Sequence, residues 1–275
     1  SEVKKMNDVV VVQEGDLVAV LHKYPDVAEK ALAKVKSKFT PSESKLNNEN
    51  IYDHFMQVAG DPKVVARGGD VDQGEKKSAA VIDETYYDSY VAHSPMEPHT
   101  AVAKIDGKKI TVWASTQNPF TAKEEVASAL GTASENVRII TPYVGGGFGG
   151  KTTNLQIIDA ARLAKATGKP VMVAYSREEE FYYDAFHPAA IVKIRSGLTK
   201  ENEISFWDYS VYFAGERGAA HFYNFANSST KSYAGNRSTA HPFATGPWRG
   251  PGNNTKTFAR ESQIYMLAAK AGVDP

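Results

Sequence analysis

The start of the chain shows two different patterns of apolar and polar positions. The runs VVVVQ and LVAVL have the composition of short β-strands, whereas PDVAEKALAKVKSKFTP carries an apolar side chain at every fourth position, Val27, Ala31, Val35 and Phe39. The pattern predicts strand, strand and amphipathic helix over residues 1–40. Because two strands and one helix are too few to enclose a core, we interpret this segment as a partial α/β module that is completed by something outside the chain.

The next stretch, residues 41–78, is rich in polar residues and has no sustained apolar period. It contains ESKLNNEN and RGGDVDQGEKK, with one helical turn predicted around residues 51–58. We therefore predict a linker that lies on the surface of the protein.

The rest of the chain, residues 79–275, has a denser apolar pattern and is predicted to form the main domain. AAVIDETYYDSYVAHS alternates like a strand, and AVAKIDGKKITVWAST predicts a hairpin that turns at Asp106–Gly107. TAKEEVASALG predicts a helix with Thr121 and Glu124 as a capping pair and with Gly131 at its end.

Later segments continue the mixture of strands and helices. NVRIITPYV and VMVAYS predict strands, NLQIIDAARLAKATGKP a helix between them, AAIVKIRSG and EISFWDYSVYFAG a long hairpin, and TFARESQIYMLAAKAG a final helix. The predicted fold class is therefore α+β, a domain of mixed sheets and helices preceded by the partial α/β module.

Composition and charge exclude several classes of function. Positive and negative residues balance to a formal net charge of zero, and no basic block is present that would neutralise a nucleic-acid backbone, so we expect no nucleic-acid partner. The longest apolar runs are too short to span a bilayer, and the start SEVKKMND lacks the apolar stretch of a signal peptide. We expect no membrane span, and the compartment stays open between cytoplasm and periplasm.

Metal ligation by this chain is also not expected. The sequence contains no cysteine, which excludes iron–sulfur ligation, and its seven histidines show no ligand spacing. Any electron-transfer cluster must therefore be held elsewhere.

The stretch VGGGFGGKTT satisfies two phosphate-binding patterns at once. Gly145, Gly150, Lys151 and Thr152 fit the P-loop, while Gly145, Gly147 and Gly150 fit the dinucleotide pattern. Neither the acidic residue that a P-loop needs on a second strand nor the one that a dinucleotide fold needs about twenty positions further on is found where expected. The letters alone leave open a nucleotide loop, a dinucleotide loop and a glycine turn without a ligand.

Three segments together indicate a family. HSPMEPHTAVAKIDGKKITVWASTQNPF, GGGFGGK and WRGPGNN, in this order, resemble the molybdenum-binding subunit of the xanthine dehydrogenase and aldehyde oxidase family. The interval from Gln117 to Phe148 is typical of that family. The resemblance runs from about Tyr86 to Pro275 and is more diffuse over residues 8–40.

The resemblance implies a molybdopterin-type molybdenum cofactor whose dithiolene sulfurs hold the metal, so that no side chain ligates it directly. The extension of the pterin by a cytosine dinucleotide stays open. Gln117 is expected to face an oxo ligand through its amide. The residues expected to bind the cofactor are Gln117, Gly146, Gly147, Phe148, Gly149 and Arg249.

Two arginines and two departures from the pattern bear on the substrate. Arg249 is expected to contact the cofactor or orient the substrate, and Arg217 corresponds to a substrate-side arginine of xanthine-type enzymes. Xanthine-type enzymes carry an aromatic residue where this chain has Pro251, and a glutamate where it has Thr152. Both departures argue against a purine.

Four further residues near these motifs are expected to have structural roles. Glu97 is expected to accept hydrogen bonds from loop amides, and Lys151 to begin the next helix or contribute a peripheral charge. Trp113 and Phe120 are expected in the core.

The resemblance implies part of a molybdenum hydroxylase that oxidises an aldehyde or an N-heterocycle with water-derived oxygen. Its catalytic base, a glutamate, is expected outside this chain, so the isolated chain should be inactive. The implied partners are the remaining half of the molybdenum domain, an iron–sulfur subunit and a flavin subunit with FAD. A non-catalytic cofactor-binding or interaction module and a P-loop nucleotide hydrolase are the alternatives.

Overall fold

The computed structural model describes residues 2–40, 44–234 and 240–275. In these residues the strands are β1 (Val10–Glu14), β2 (Leu17–Leu21), β3 (Lys63–Gly68), β4 (Ala80–Asp88), β5 (Thr100–Asp106), β6 (Lys109–Ala114), β7 (Val137–Ile140), β8 (Val171–Ala174), β9 (Ala190–Leu198), β10 (Ile204–Tyr212) and β11 (Ser228–Tyr233). The helices are α1 (Pro25–Leu32), α2 (Ile51–Val58), α3 (Val71–Lys76), α4 (Pro119–Leu130), α5 (Leu155–Thr167), α6 (Arg177–Tyr183) and α7 (Asn254–Ala271).

The chain divides into two compact units. The first unit is built from Ser1–Glu43, Ser94–Gly147 and Lys151–Tyr183. The second unit is built from Ser44–His93, Phe148–Gly150 and Asp184–Pro275.

The first unit is organised around a four-stranded sheet in the order β7-β6-β5-β8. Strands β5 and β6 form the predicted antiparallel hairpin, in which Asp106 pairs with Lys109 and Gly107 adopts a φ of 58°. The buried face of the sheet packs against α4 and α5, with members such as Val112, Val126 and Ile157 fully buried. A left-handed Gly131 ends α4 as predicted, although the helix begins at Pro119, before the proposed capping pair.

Residues 2–40 contain the predicted order of strand, strand and helix, but their packing and the end of the helix differ from the prediction. Strands β1 and β2 form an antiparallel pair whose apolar side chains pack on the core of the first unit. Helix α1 ends at Leu32, and Phe39, which the fourfold period placed in the helix, is 81% exposed. The apolar period in the sequence extends beyond the residues that pack on the core, so it overestimates the length of the helix.

The second unit is organised around a five-stranded sheet in the order β3-β11-β10-β9-β4. The predicted long hairpin is formed by the antiparallel strands β9 and β10, and β11 lies parallel to β10. Helix α7 supplies Ala259 and Leu267 to a core that also contains Ile194 and Trp207. The mixture of sheets and helices confirms the α+β class.

The predicted surface linker, residues 41–78, is wrong for most of its length. Helix α2 buries Ile51 and Phe55 in an apolar cluster of the second unit, and β3 pairs with β11 at the sheet edge. The sequence signal was weak because β3 is an edge strand with mostly exposed side chains, so it shows no clean alternation. No helix in the described ranges is both long enough and apolar enough to cross a bilayer.

Candidate functional site

The glycine loop that follows β7 has a backbone that ordinary residues avoid. Gly146 and Gly149 have φ values of 89° and 116°, which strain any L side chain, and Phe148 adopts a left-handed φ of 54° despite its side chain. Such a conformation in a bulky residue is uncommon and marks a position that the surrounding structure holds in place. Residues 145–147 group with the first unit and residues 148–150 with the second.

In the first unit, the loop lies against Gln117. A Cβ atom on Gly147 would lie 2.8 Å from Cδ of Gln117, so the glycine leaves the space that the glutamine side chain occupies. The backbone amide of Gln117 donates to the carbonyl of Lys151 at 2.7 Å. The structure therefore brings together two of the predicted cofactor-binding residues, Gln117 and Gly147.

Glu97 forms hydrogen bonds with the start of the loop. Its Oε2 accepts from the backbone N–H of Gly145 at 2.7 Å, and its own N–H donates to the Gly145 carbonyl at 3.2 Å. Glu97 thus accepts a hydrogen bond from one loop amide, in line with its expected structural role.

Lys151, at the other end of the loop, forms an ion pair with Glu97. Its side chain is fully buried, and its Nζ donates to Oε2 of Glu97 at 2.7 Å. The expectation of a peripheral charge is therefore wrong. A P-loop lysine must reach the terminal phosphates of a nucleotide, whereas this ammonium is buried and paired with a carboxylate, so the geometry does not support the P-loop alternative.

In the second unit, a buried histidine lies behind the loop. Nδ1 of His93 lies 2.7 Å from Oδ1 of Asp184, its backbone N–H donates to Oδ2 at 2.9 Å, and its Nε2 lies 2.7 Å from the carbonyl oxygen of Pro247. A Cβ on Gly149 would lie 2.6 Å from the Pro247 carbonyl carbon, and one on Gly150 would lie 2.9 Å from Cγ of His93. His93 and Pro247 therefore require glycine at both positions.

The charge state of Asp184 follows from the same contacts. Burial by itself raises the pKa of this carboxyl, but the hydrogen bonds from His93 outweigh burial and lower the pKa below the ordinary value of 3.8. Asp184 is therefore ionised at neutral pH.

Phe148 and Arg249, two further predicted residues, lie together in the second unit. The guanidinium carbon of Arg249 lies 4.5 Å from the centroid of the Phe148 ring, within the range of a cation–π contact. The Arg249 N–H also donates to the Phe148 carbonyl at 3.0 Å. Both side chains are exposed, so the pair presents a positive charge to whatever approaches this part of the loop.

Arg217, the predicted substrate-side residue, packs against the WRGPG turn. A Cβ on Gly252 would lie 2.8 Å from Cγ of Arg217, so this glycine makes room for the arginine. Arg217 also lines a cavity of about 350 Å³ together with Trp248.

Several residues were misjudged or missed from the sequence. Trp113 is 38% exposed because it points outward from β6, and Phe120, in the first turn of α4, is 84% exposed, so neither belongs to the core. The contribution of His93 and Asp184 was missed because the two residues lie 91 positions apart in the sequence.

The loop offers hydrogen-bond donors that suit an oxygen-rich ligand. Within the described part of the chain, the backbone amides of Gly146, Gly147 and Phe148 have no acceptor, although Gly147 is buried. Backbone amides without an acceptor can donate to anionic oxygens, and this chemistry suits the oxo and phosphate oxygens of a molybdopterin cofactor. Groups of three or more His, Cys, Asp and Glu side chains that could hold a bare metal ion are absent from the described residues.

Comparison with protein families places most of the chain in one of them. The sequence profile of the family described as "Molybdopterin cofactor-binding domain" matches residues 56–275. This match includes every residue of the loop and both arginines.

Two curated relatives illustrate the similarity. The aldehyde oxidoreductase molybdenum-binding subunit PaoC of Escherichia coli K12 is 34% identical over 215 residues, which cover 75% of this chain and 29% of that protein. The nicotinate dehydrogenase large molybdopterin subunit of Eubacterium barkeri is 28% identical over 288 residues, covering 95% of this chain and 66% of that protein. The chain thus spans less than a third of the length of the first relative.

Solved structures show the same fold. Quinoline 2-oxidoreductase from Pseudomonas putida 86 matches with a TM-score of 0.76 and 18% identity, covering 100% of this chain and 41% of that one. The Cu,Mo-CO dehydrogenase matches with a TM-score of 0.75 and 18% identity, covering 100% and 43%. At this identity the likeness concerns the fold alone.

Proposed function

The chain belongs to the molybdopterin cofactor-binding domain family, and from this premise we propose that it forms part of a molybdenum hydroxylase. Its substrate class is an aldehyde or an N-heterocycle, oxidised with oxygen derived from water. The observation that carries the proposal is the packing of Gln117 on Gly147, beside unpaired loop amides and within the segment that matches the family. The relatives named for aldehyde oxidoreduction and nicotinate dehydrogenation support this class of reaction.

The residues that hold the cofactor in this proposal are Gln117, Gly146, Gly147, Phe148, Gly149 and Arg249. The amides of Gly146, Gly147 and Phe148, which have no acceptor in the described chain, would donate to cofactor oxygens. When bound, the cofactor supplies the redox centre that takes two electrons from the oxidised carbon. We also propose that the pterin carries a cytosine dinucleotide extension.

Substrate orientation is assigned to the two arginines. The Phe148 ring holds the Arg249 guanidinium in place, and Arg217 lines a cavity large enough for a small molecule. Pro251 replaces the aromatic side chain that would stack on a purine in xanthine-type enzymes, so the proposed substrates are smaller or differently shaped molecules.

Electron transfer requires groups that this chain does not supply. The sequence has no cysteine, so we assign the iron–sulfur centres, and FAD where the acceptor requires it, to partner subunits. The catalytic glutamate and the rest of the molybdenum domain are assigned to a further polypeptide segment, since the chain spans 29% of the aldehyde oxidoreductase subunit.

Element analysis of the assembled protein tests the proposal. The protein is purified with its natural partners from molybdate-supplied cells and assayed for molybdenum, iron, FAD, nucleotide released by acid hydrolysis, and oxidation of aldehydes and N-heterocycles with an artificial acceptor. About one molybdenum per chain with turnover is expected. A folded assembly without molybdenum contradicts the proposal, and molybdenum without turnover favours a non-catalytic cofactor-binding module.

A further inference from the structure

Helix α7 turns several of its polar side chains toward the core of the second unit. Its buried residues include Lys256, Arg260 and Gln263. Nζ of Lys256 donates to the Ala214 carbonyl at 2.7 Å, and Nε2 of Gln263 donates to Oγ of Ser196 at 2.8 Å. Surface helices usually turn such residues to solvent, so the arrangement is the reverse of the ordinary one.

The opposite side of α7 carries no charge. Phe258, Ser262, Tyr265 and Ala269 are spaced four, three and four positions apart, so they lie in one line along the helix, which we call the α7 stripe. The side chain of Phe258 is 61% exposed and that of Tyr265 is 63% exposed. Because apolar residues lie on both sides of α7, the helix has the pattern of one that is enclosed by protein.

An edge of the five-stranded sheet borders the α7 stripe. The ring of Tyr86 in β4 contacts the ring of Phe258 edge-on, with centroids 6.1 Å apart. Among the described residues, β4 has a strand neighbour on one side only, which is β9. Proteins usually cover or interrupt a long edge strand, and β4 extends over nine residues. The stripe and the edge strand therefore both indicate a surface that is covered.

The lengths of the relatives indicate what covers it. The match covers 29% of the aldehyde oxidoreductase subunit and 66% of the nicotinate dehydrogenase subunit, so both of these subunits contain further polypeptide. An uncharged stripe with two aromatic rings is typical of a permanent contact, whereas transient partners bury smaller and more polar surfaces. A segment of the same domain makes such a permanent contact.

We propose that the α7 stripe, with the edge strand β4 beside it, is the surface on which the further segment of the molybdenum domain packs. The proposal rests on the proposed function, which assigns that segment, and it adds the place of contact and its chemistry. Phe258 and Tyr265 are the anchors, because aromatic rings bury the largest apolar area for each side chain ordered. The segment presents an apolar surface to them.

Thiol reactivity tests whether the α7 stripe is covered. Because the chain contains no cysteine, Ala269→Cys places a single thiol in the stripe, and Lys270→Cys places one at an exposed position on another side of the helix as the matched control. Each variant is alkylated as the chain by itself and in the protein purified with its natural partners, and mass spectrometry measures the rate. We expect the Ala269→Cys thiol to react about tenfold more slowly in the assembled protein, and the control to react equally in both. Equal rates for Ala269→Cys overturn the proposal.

Cross-linking identifies the polypeptide that covers the stripe. The photoreactive analogue p-benzoylphenylalanine is incorporated in place of Tyr265 during synthesis, and the assembled protein is irradiated and digested. We expect cross-linked peptides from the further segment of the molybdenum domain. Peptides from a second copy of this chain, or from an iron–sulfur or flavin partner, overturn the proposal. Molybdenum content is measured on the same preparation, so a failure of the docking surface leaves the hydroxylase assignment standing.

Discussion

Nζ of Lys151 lies 2.7 Å from Oε2 of Glu97, and the same carboxylate oxygen accepts the N–H of Gly145 at 2.7 Å. One carboxylate therefore ties the two ends of the glycine loop in the first unit together. A lysine that resembles a nucleotide ligand in the sequence has a structural role in the fold.

Replacement of Lys151 by alanine should destabilise the protein. Removal of the ammonium leaves a cavity and deprives the half-buried Glu97 of its partner, so we expect the free energy of unfolding to fall by about 2–4 kcal/mol. Urea denaturation measures the loss, with Lys169→Ala as the control at an exposed lysine of the same unit. Equal stability of the two variants would show that the buried pair contributes nothing.

Gly147→Ala should act on the cofactor rather than on the fold. The added methyl group meets the flexible end of Gln117, which can swing away, so we expect a stability change below about 1 kcal/mol. The displaced amide should lower the molybdenum content of the assembled protein severalfold. If the effect runs through Gln117, the double variant with Gln117→Ala retains as much molybdenum as Gln117→Ala alone. Independent, multiplying losses would contradict this link.

Gly149→Ala should be damaging to the fold itself. Its φ of 116° strains an L residue, and the new Cβ would lie 2.6 Å from the carbonyl carbon of Pro247, which as backbone cannot easily yield. Gly168→Ala provides the control, because φ is 65° there and no atom lies within 4 Å of the added Cβ. Thermal unfolding should show a loss of about 1 kcal/mol for the control and at least about twice that for Gly149→Ala. Similar losses would mean that Pro247 does not restrict the loop.

The His93–Asp184 pair should make stability depend on acid pH. The pKa of Asp184 is lowered in the folded protein, so its contribution is fully present above the unfolded value near 3.8 and is lost as pH falls through the folded value. Urea unfolding between pH 6 and pH 3 should show the unaltered protein well above Asp184→Asn in stability at the upper end, with the gap narrowing below about pH 4. A gap that stays constant to pH 3 contradicts the assignment.

Much of the architecture follows from the sequence because the relevant signals are local. Alternation over a few residues predicts the β5–β6 and β9–β10 hairpins, and the glycine after α4 predicts where that helix ends. The order and spacing of three motifs identify the family, and the family profile matches residues 56–275.

Only the tertiary structure decided which distant residues meet. Strand β3 pairs with β11, and β1 and β2 pack on the first core. Both contacts join residues far apart in the sequence, so no short stretch of sequence predicts them. The same holds for Lys151 and Glu97, separated by 54 positions, and for His93 and Asp184, separated by 91. The sequence shows that a side chain is charged but not whether it is buried. Its burial and its partner are determined by the sheets and helices that enclose it. The sequence by itself therefore determined the cofactor family and the local elements, and the tertiary structure determined what holds the loop in shape.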